Sequence, residues 1–165
     1  MKIPEKIKPR PDQESVWDYP RPPRLEDTHA LIKIVFNTVT IAETRRAMRI
    51  LETSHPPVYY LPPDDIQMQF LLPTSGNSFC EWKGMVKYYD LEVNGRSAPK
   101  VGWYYPDPTT NFRTIQNYIA FYPGPMDACT VNGEKVTPQP GGFYGGWITR
   151  NIVGPFKGGI DTMWW

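Results

Sequence analysis

The stretch "LIKIVFNTVTIAET" alternates apolar and polar positions and is rich in β-branched residues, with Asn37-Thr38 between its two runs. That pattern predicts a pair of strands. "RRAMRILE" fits helix or strand equally by pattern. "LPPDDIQMQFLL" predicts one short α-helix. Pro63 suits a first turn, Asp64 and Asp65 favour a helix N-terminus, and Ile66, Met68 and Phe70 offer an apolar side. "NSFCEWKGMVKYYDLEVNGRSAPKVGWYYP" reads as two strands joined across Asn94-Gly95, "QNYIAFYP" as a further strand, and "MDACTVNGEKVTP" as a hairpin at Asn132-Gly133.

The ends have another texture. Six of the 19 prolines fall within the first 23 positions, so "DYPRPPRLED" is expected to be extended, with Trp17 and Tyr19 as anchors. Seven of the 13 glycines follow Pro140, which predicts an irregular tail tied down by Phe143, Tyr144, Trp147, Phe156, Trp164 and Trp165. The expected fold class is mainly β: a compact single domain of antiparallel sheets with one short α-helix and extended terminal segments. Its parts are a packed arm over 1–30, a core over 31–125, and a hairpin with tail over 126–165.

Composition narrows the function. Hydrophobic residues make up 40% of the 165 positions, enough for a core. Net charge is +1 and the longest basic run of note is Arg45-Arg46, so no nucleic-acid partner is expected. No run of 18 apolar residues predicts a membrane span, and "MKIPEKIKPRPDQE" has no apolar signal core. Two cysteines, Cys80 and Cys129, are expected as free thiols in a reducing cytoplasm.

Several chemistries find little support. A structural zinc site usually needs four ligands, yet there is no C-x-x-C and no H-x-x-x-H. His55, Cys80 and Glu52 are too few, so no metal and no cofactor are assigned. "GPFKGG" is not a phosphate-binding loop. Asp90 and Glu92, two apart on a strand, would share a face and could hold Mg²⁺, but they flank the Asn94-Gly95 turn, where solvated acids are usual. On a continuous strand Cys80 and Trp82 would share one face and Lys83 the other, which separates the thiol from the cation that would activate it.

"LETSHPPVYYLPPDDIQM", "CEWKGMVKYYD", "GWYYPDP" and "YIAFYP" resemble, in order and spacing, the family catalogued as domain of unknown function 427. The likeness runs from about Leu31 to Pro123. "ESVWDYPRPPRLE" and "FYGGWITRNIVGPFKGG" are similar to the flanks of its longer members. The resemblance implies a tent-like fold of antiparallel sheets meeting at one end. It implies no established activity, although one of the family's labels suggests nucleotidyl transfer. Its characteristic positions correspond here to Glu52, His55, Pro57, Tyr60, Pro62, Cys80, Trp82, Lys83, Gly84, Trp103, Tyr105 and Phe121.

Those types suit an apolar pocket with a few convergent polar groups. Pro56 forces His55 into an extended conformation, so a rigid loop presents an imidazole beside Glu52. The leading expectation is a soluble domain binding a small organic ligand in an aromatic-lined cleft, with scope for enzyme activity. His55 is expected as general base or acid oriented by Glu52, Lys83 as stabiliser of negative charge, and Cys80 as the less favoured nucleophile. Tyr60, Trp82, Trp103 and Tyr105 are expected to wall the cleft. The alternatives are a non-catalytic interaction module, as part of a homo-oligomer or otherwise, and a nucleotidyltransferase with metal on Asp90 and Glu92.

Overall fold

A computed structural model describes residues 4–165. Three antiparallel sheets hold most of the strand residues. The first orders Glu134–Lys135, Ala128–Val131, Ile32–Phe36 and Val39–Thr44. The second orders Ala120–Phe121, Arg96–Tyr104, Gly84–Val93 and Leu71–Cys80. The third orders Arg24–Asp27, Met48–Leu51 and Val58–Tyr60. The ambiguous "RRAMRILE" thus contributes a strand, and the fold is mainly β as expected.

The two-residue turns have a local cause. Asn37 and Thr38 take φ of 48° and 65°, Asn94 and Gly95 take 49° and 86°, and Asn132 and Gly133 take 49° and 84°. Positive φ at both turn positions matches the right-handed twist of the flanking strands, and Asn and Gly reach it at least cost. Thr38 is the exception by type. Its N–H donates to Asp127 Oδ2 at 2.8 Å, which helps to hold it there.

The first and second sheets enclose one core of Ile32, Ile34, Phe36, Ile41, Leu91, Val93 and Phe121, with Trp147 from the tail. Trp147 is 1% exposed, and its Nε1–H donates to the Phe121 carbonyl at 3.0 Å. A second cluster gathers Ile50, Tyr60, Val86, Trp103, Tyr105 and Phe112 between the third sheet and the long hairpin of the second.

The expected α-helix does not form as one. Its segment makes two short 3-10 turns, Pro63–Asp65 and Met68–Phe70, separated by an extended Ile66. Tertiary contacts outweigh local propensity here. Ile66 is buried and bridges to Ala42, and the Gln67 N–H donates to the Ile41 carbonyl at 2.7 Å. Asp65 serves Thr44 Oγ1 at 2.6 Å and Arg46 at 2.7 Å instead of a helix N-terminus. The longest helical element is the 3-10 segment Thr110–Ile115. Leu71–Cys80 is an edge strand that its sequence hides, because Pro73 and Gly76 interrupt it and its register shifts between Pro73 and Asn77.

At the ends, Glu14–Ser15 pairs in parallel with Ile152–Val153. Val16, Tyr19, Leu51 and Ile152 form a small cluster joined by Trp17 and Phe156. Trp17 Nε1–H donates to the Pro155 carbonyl at 2.9 Å, and its ring meets Trp165 edge-on at 5.6 Å. Glu14 accepts from the Tyr19 hydroxyl at 2.5 Å and from Arg49 at 2.7 Å, while Arg49 also donates to Glu26 at 2.9 Å. No helix among the described residues is long and apolar enough to cross a membrane.

Val16 has no exposed surface. Val16→Ala is expected to lower unfolding free energy by roughly 2 kcal/mol, the transfer of two methyl groups plus a small cavity. A urea midpoint unchanged from the parent would show that these end segments carry no stability.

Candidate functional site

The site begins with a turn. The His55 N–H donates to the Glu52 carbonyl at 3.0 Å, closing a four-residue turn. Ser54, the third residue, takes φ of 74°, a value that favours glycine there. The turn places the side chains of its first and last residues, Glu52 and His55, together, with His55 Nε2 3.7 Å from Glu52 Oε2.

Both ends of the chain hold this turn. From the arm, Pro20 O accepts from Thr53 N at 3.2 Å, Val16 O accepts from Ser54 N at 3.0 Å, and Tyr19 O accepts from the Thr53 hydroxyl at 2.6 Å. Arg21 donates to the Thr53 carbonyl at 3.0 Å and approaches Glu52 at 3.6 Å. From the tail, the Lys157 N–H donates to the Ser54 carbonyl at 2.9 Å.

Gln139 decides the state of His55. The Gly146 N–H donates to Gln139 Oε1 at 3.0 Å, which fixes the orientation of the amide. Its Nε2 then donates to the Lys157 carbonyl at 2.8 Å and to His55 Nδ1 at 3.0 Å. His55 Nδ1 is therefore an acceptor, and in the neutral ring the proton sits on Nε2. Burial, with repulsion from Lys157, Arg21 and Lys83, lowers the His55 pKa to about 3. The imidazole is neutral near pH 7, so its approach to Glu52 is not an ion pair. It presents an Nε2–H donor and offers no free lone pair for general-base work.

Lys83 arrives by a route that strand alternation misses. The strand ends at Cys80 and restarts at Gly84, and Cys80 and Gly84 pair across the turn. Residues 81–83 turn back, so Lys83 lies beside Cys80 and not on the opposite face. The Thr109 N–H donates to the Lys83 carbonyl at 3.0 Å and anchors the turn from the far side. Lys83 is only 8% exposed, and its Nζ lies 5.8 Å from the ring centres of both Tyr105 and Phe112. No carboxylate among the described residues comes within 4.0 Å of that Nζ. Burial opposes its charge, but the Tyr60 hydroxyl, the Cys80 side chain and the Glu52 carboxylate favour it and leave its pKa raised. Lys83 is thus a buried ammonium without an ion-pair partner.

These groups line one cavity of about 390 Å³. All eight residues singled out from the sequence contribute to its wall: Glu52, His55, Tyr60, Cys80, Trp82, Lys83, Trp103 and Tyr105. Trp103 Nε1–H donates to the Tyr60 hydroxyl at 3.2 Å. Burial raises the pKa of both Tyr60 and Tyr105, so both phenols stay protonated. Phe79 and Phe143 also border the cavity and are largely exposed.

Sequence reasoning missed the tail's share of the wall. Gln139, Tyr144, Gly145 and Lys157 all line the cavity, and Tyr144 meets the His55 ring edge-on at 4.7 Å. The glycine pair was the available signal. A Cβ on Gly145 would lie 2.1 Å from Trp103, and one on Gly146 would lie 2.5 Å from Pro56 and 2.6 Å from Gln139. Only glycines let the tail close so tightly on the wall.

The other candidates lie elsewhere. Asp90 Oδ1 accepts from the Lys100 N–H at 2.8 Å, which uses the carboxylate to fix the neighbouring strand. No group of three potential metal-ligating side chains occurs among the described residues. Cys129 is buried in the main core, where desolvation raises its pKa.

Residues 24–132 match the family described as a domain of unknown function, DUF427, and the chain belongs to that family. No curated protein matches the chain. Glu52, His55, Lys83 and the rings of Tyr60, Trp82, Trp103 and Tyr105 fall inside the matched region, whereas Gln139, Phe143, Tyr144 and Lys157 fall beyond it.

Two outcomes follow from the turn and its histidine. Ser54 Oγ is buried without a partner among the described residues. Ser54→Gly relieves the positive φ and removes that orphan, so stability should rise by about 0.5–1 kcal/mol. A variant less stable than the parent would mean that Ser54 is not under strain. For His55, the depressed folded-state pKa makes its contribution complete above 6.5 and lost as pH falls towards about 3. Between pH 6.5 and 5 the parent should therefore lose up to about 1.4 kcal/mol per pH unit relative to His55→Gln. Parallel urea titrations would reveal it, and identical slopes would place the imidazole in water.

Proposed function

We propose that this cavity binds a small organic molecule. The carrying observation is the convergence of a buried, unpaired Lys83 and a neutral, oriented His55 on an unfilled space of about 390 Å³. Charges are costly to bury without partners, so such a group in a structural role would be expected to meet a carboxylate. Trp82, Trp103, Tyr60 and Tyr105 supply flat apolar contact, while Glu52, His55 and Lys83 supply the polar handles.

If the bound molecule reacts, Lys83 is the group that stabilises developing negative charge and His55 acts as a hydrogen-bond donor through Nε2. The base role first expected for His55 is at odds with its occupied Nδ1 and low pKa. Cys80 stands beside Lys83 and is the nucleophile of this reading. The two free thiols fit a reducing cytoplasm as the place of action.

A second reading, as an interaction module, draws on the exposed Ile160, Met163 and Trp164 near the C-terminus together with Phe79 and Phe143. The two readings separate in a thermal-shift screen against a library of small metabolites. Ligand at a hundredfold excess over its Kd should stabilise the parent by about 2.7 kcal/mol. Gly145→Ala, whose added Cβ displaces the Trp103 ring, should lose most of that gain. A compound that stabilises both proteins equally binds outside the cavity and sinks the proposal.

A further inference from the structure

We infer that the ligand is a singly charged aromatic carboxylate, its carboxylate held by Lys83 and its ring by the cavity's indoles. This inference rests on the reading of the cavity as a ligand site and adds the charge and class of the ligand.

Charge accounting around the cavity is the first step. Glu52 has Arg21 beside it at 3.6 Å. Lys157 directs its Nζ to the Trp165 carbonyl at 3.0 Å and lies over the Tyr144 ring at 5.6 Å. His55 is neutral. Lys83 is left, an ammonium 8% exposed with two aromatic rings beside it and no carboxylate among the described residues within 4.0 Å. Lys157 is half-buried, so water screens its charge, whereas the Lys83 charge is buried, and a buried positive charge in a site of low polarity calls for a negative one. A dianion such as a phosphate monoester would cost more to desolvate and would bring its second charge towards the Glu52 carboxylate. A cation would meet Lys83 unscreened.

The neutral donors sort the acceptor further. His55 Nε2–H has only a long approach to Glu52, at 3.7 Å, so it retains donor capacity. The Tyr60 oxygen accepts from Trp103 Nε1–H, and the phenol keeps its own proton to donate because burial raises its pKa. A carboxylate has two oxygens with several acceptor sites and can take a charged and a neutral donor together. The remaining wall is flat and apolar. Trp103 and Trp82 face the space, with Ile50, Val58 and Val86 filling between them. A planar ring of modest size uses that surface, and the volume limits it to a small molecule.

The test uses three probes of one shape: benzoate, its neutral counterpart benzamide, and phenyl phosphate. Binding is read by quenching of tryptophan fluorescence and by calorimetry on the full chain. Benzoate should bind at least about tenfold more tightly than benzamide, the discrimination typical of one charge-assisted hydrogen bond in a dry site. Phenyl phosphate should bind more weakly than benzoate. Lys83→Met keeps the length of the side chain without its charge and should bring the benzoate-to-benzamide ratio close to one. Lys83→Arg should keep benzoate preferred. If Lys83→Met does not fold, the parent's ratio and the Lys83→Arg variant decide the question. Benzamide binding as tightly as benzoate would overturn the carboxylate and leave the cavity reading in place. A benzoate preference that survives in Lys83→Met would overturn the role of Lys83. Failure of all three probes to bind would overturn the inference, while the metabolite screen with Gly145→Ala decides the cavity reading separately.

Discussion

The structure turns on the buried backbone of residues 52–55. Ser54 is fully buried, and a buried peptide group that finds no hydrogen-bond partner costs on the order of 1–3 kcal/mol. The turn satisfies one pair internally, between Glu52 and His55. The others are met by Val16 and Pro20 from the arm and by Lys157 from the tail. These segments are distant in sequence, so the turn acts as the knot where both ends of the chain are tied to the sheets. Pro56 and Pro57 follow at once and limit how the chain leaves it. Glu52 and His55 are therefore set by the packing of three separate stretches, and their relative position has little freedom.

That construction explains the electrostatics. An imidazole held by Gln139 on one nitrogen, walled by Tyr144 and surrounded by Lys157, Arg21 and Lys83 has little reason to gain a proton. Its neutrality removes the charge that could otherwise have competed for Glu52. Lys83 is then the buried cation of the cavity, with the faces of Tyr105 and Phe112 beside it, while Lys157, over Tyr144, is half-buried. Cation–π contact at 5.8 Å offsets about 1–2 kcal/mol of a desolvation cost of several, and Tyr60, Cys80 and the more distant Glu52 favour the charge as well, so that its pKa is raised. A buried ammonium with no carboxylate within 4.0 Å among the described residues, facing an unfilled cavity, is the physical ground for treating that cavity as a candidate site.

The sequence spelled out the parts governed by short-range rules. Asn94-Gly95 and Asn132-Gly133 announce hairpins because few other residues tolerate their backbone angles, and the alternation of 31–44 matches a half-buried strand pair. It misled where distant contacts dominate. Ile66 abandons helix for a bridge to Ala42, and Lys83 leaves the strand at a turn that alternation has no means to register. The cavity wall was legible in its family-matched half, Glu52, His55, Lys83, Trp103 and Tyr105, and invisible in its other half. A glutamine such as Gln139 carries no chemical signature of its own, and its significance arises only when Gly146 fixes its amide and aims it at Nδ1.

That last contact divides the labour between the matched region and the tail. The region 24–132 supplies the imidazole, the ammonium and most of the aromatic wall. The tail supplies the group that decides which nitrogen of the imidazole carries the proton, together with the burial that lowers its pKa. Without Gln139 the Nδ1 lone pair would be free, and the same histidine could accept a proton from a ligand. With Gln139 in place it can only donate through Nε2. The chemistry open to the site thus depends on a residue outside the matched region, held by a glycine that admits no side chain. A change at Gly146 that leaves Glu52, His55 and Lys83 untouched would still alter what the cavity can do, because it would act through the orientation of one amide.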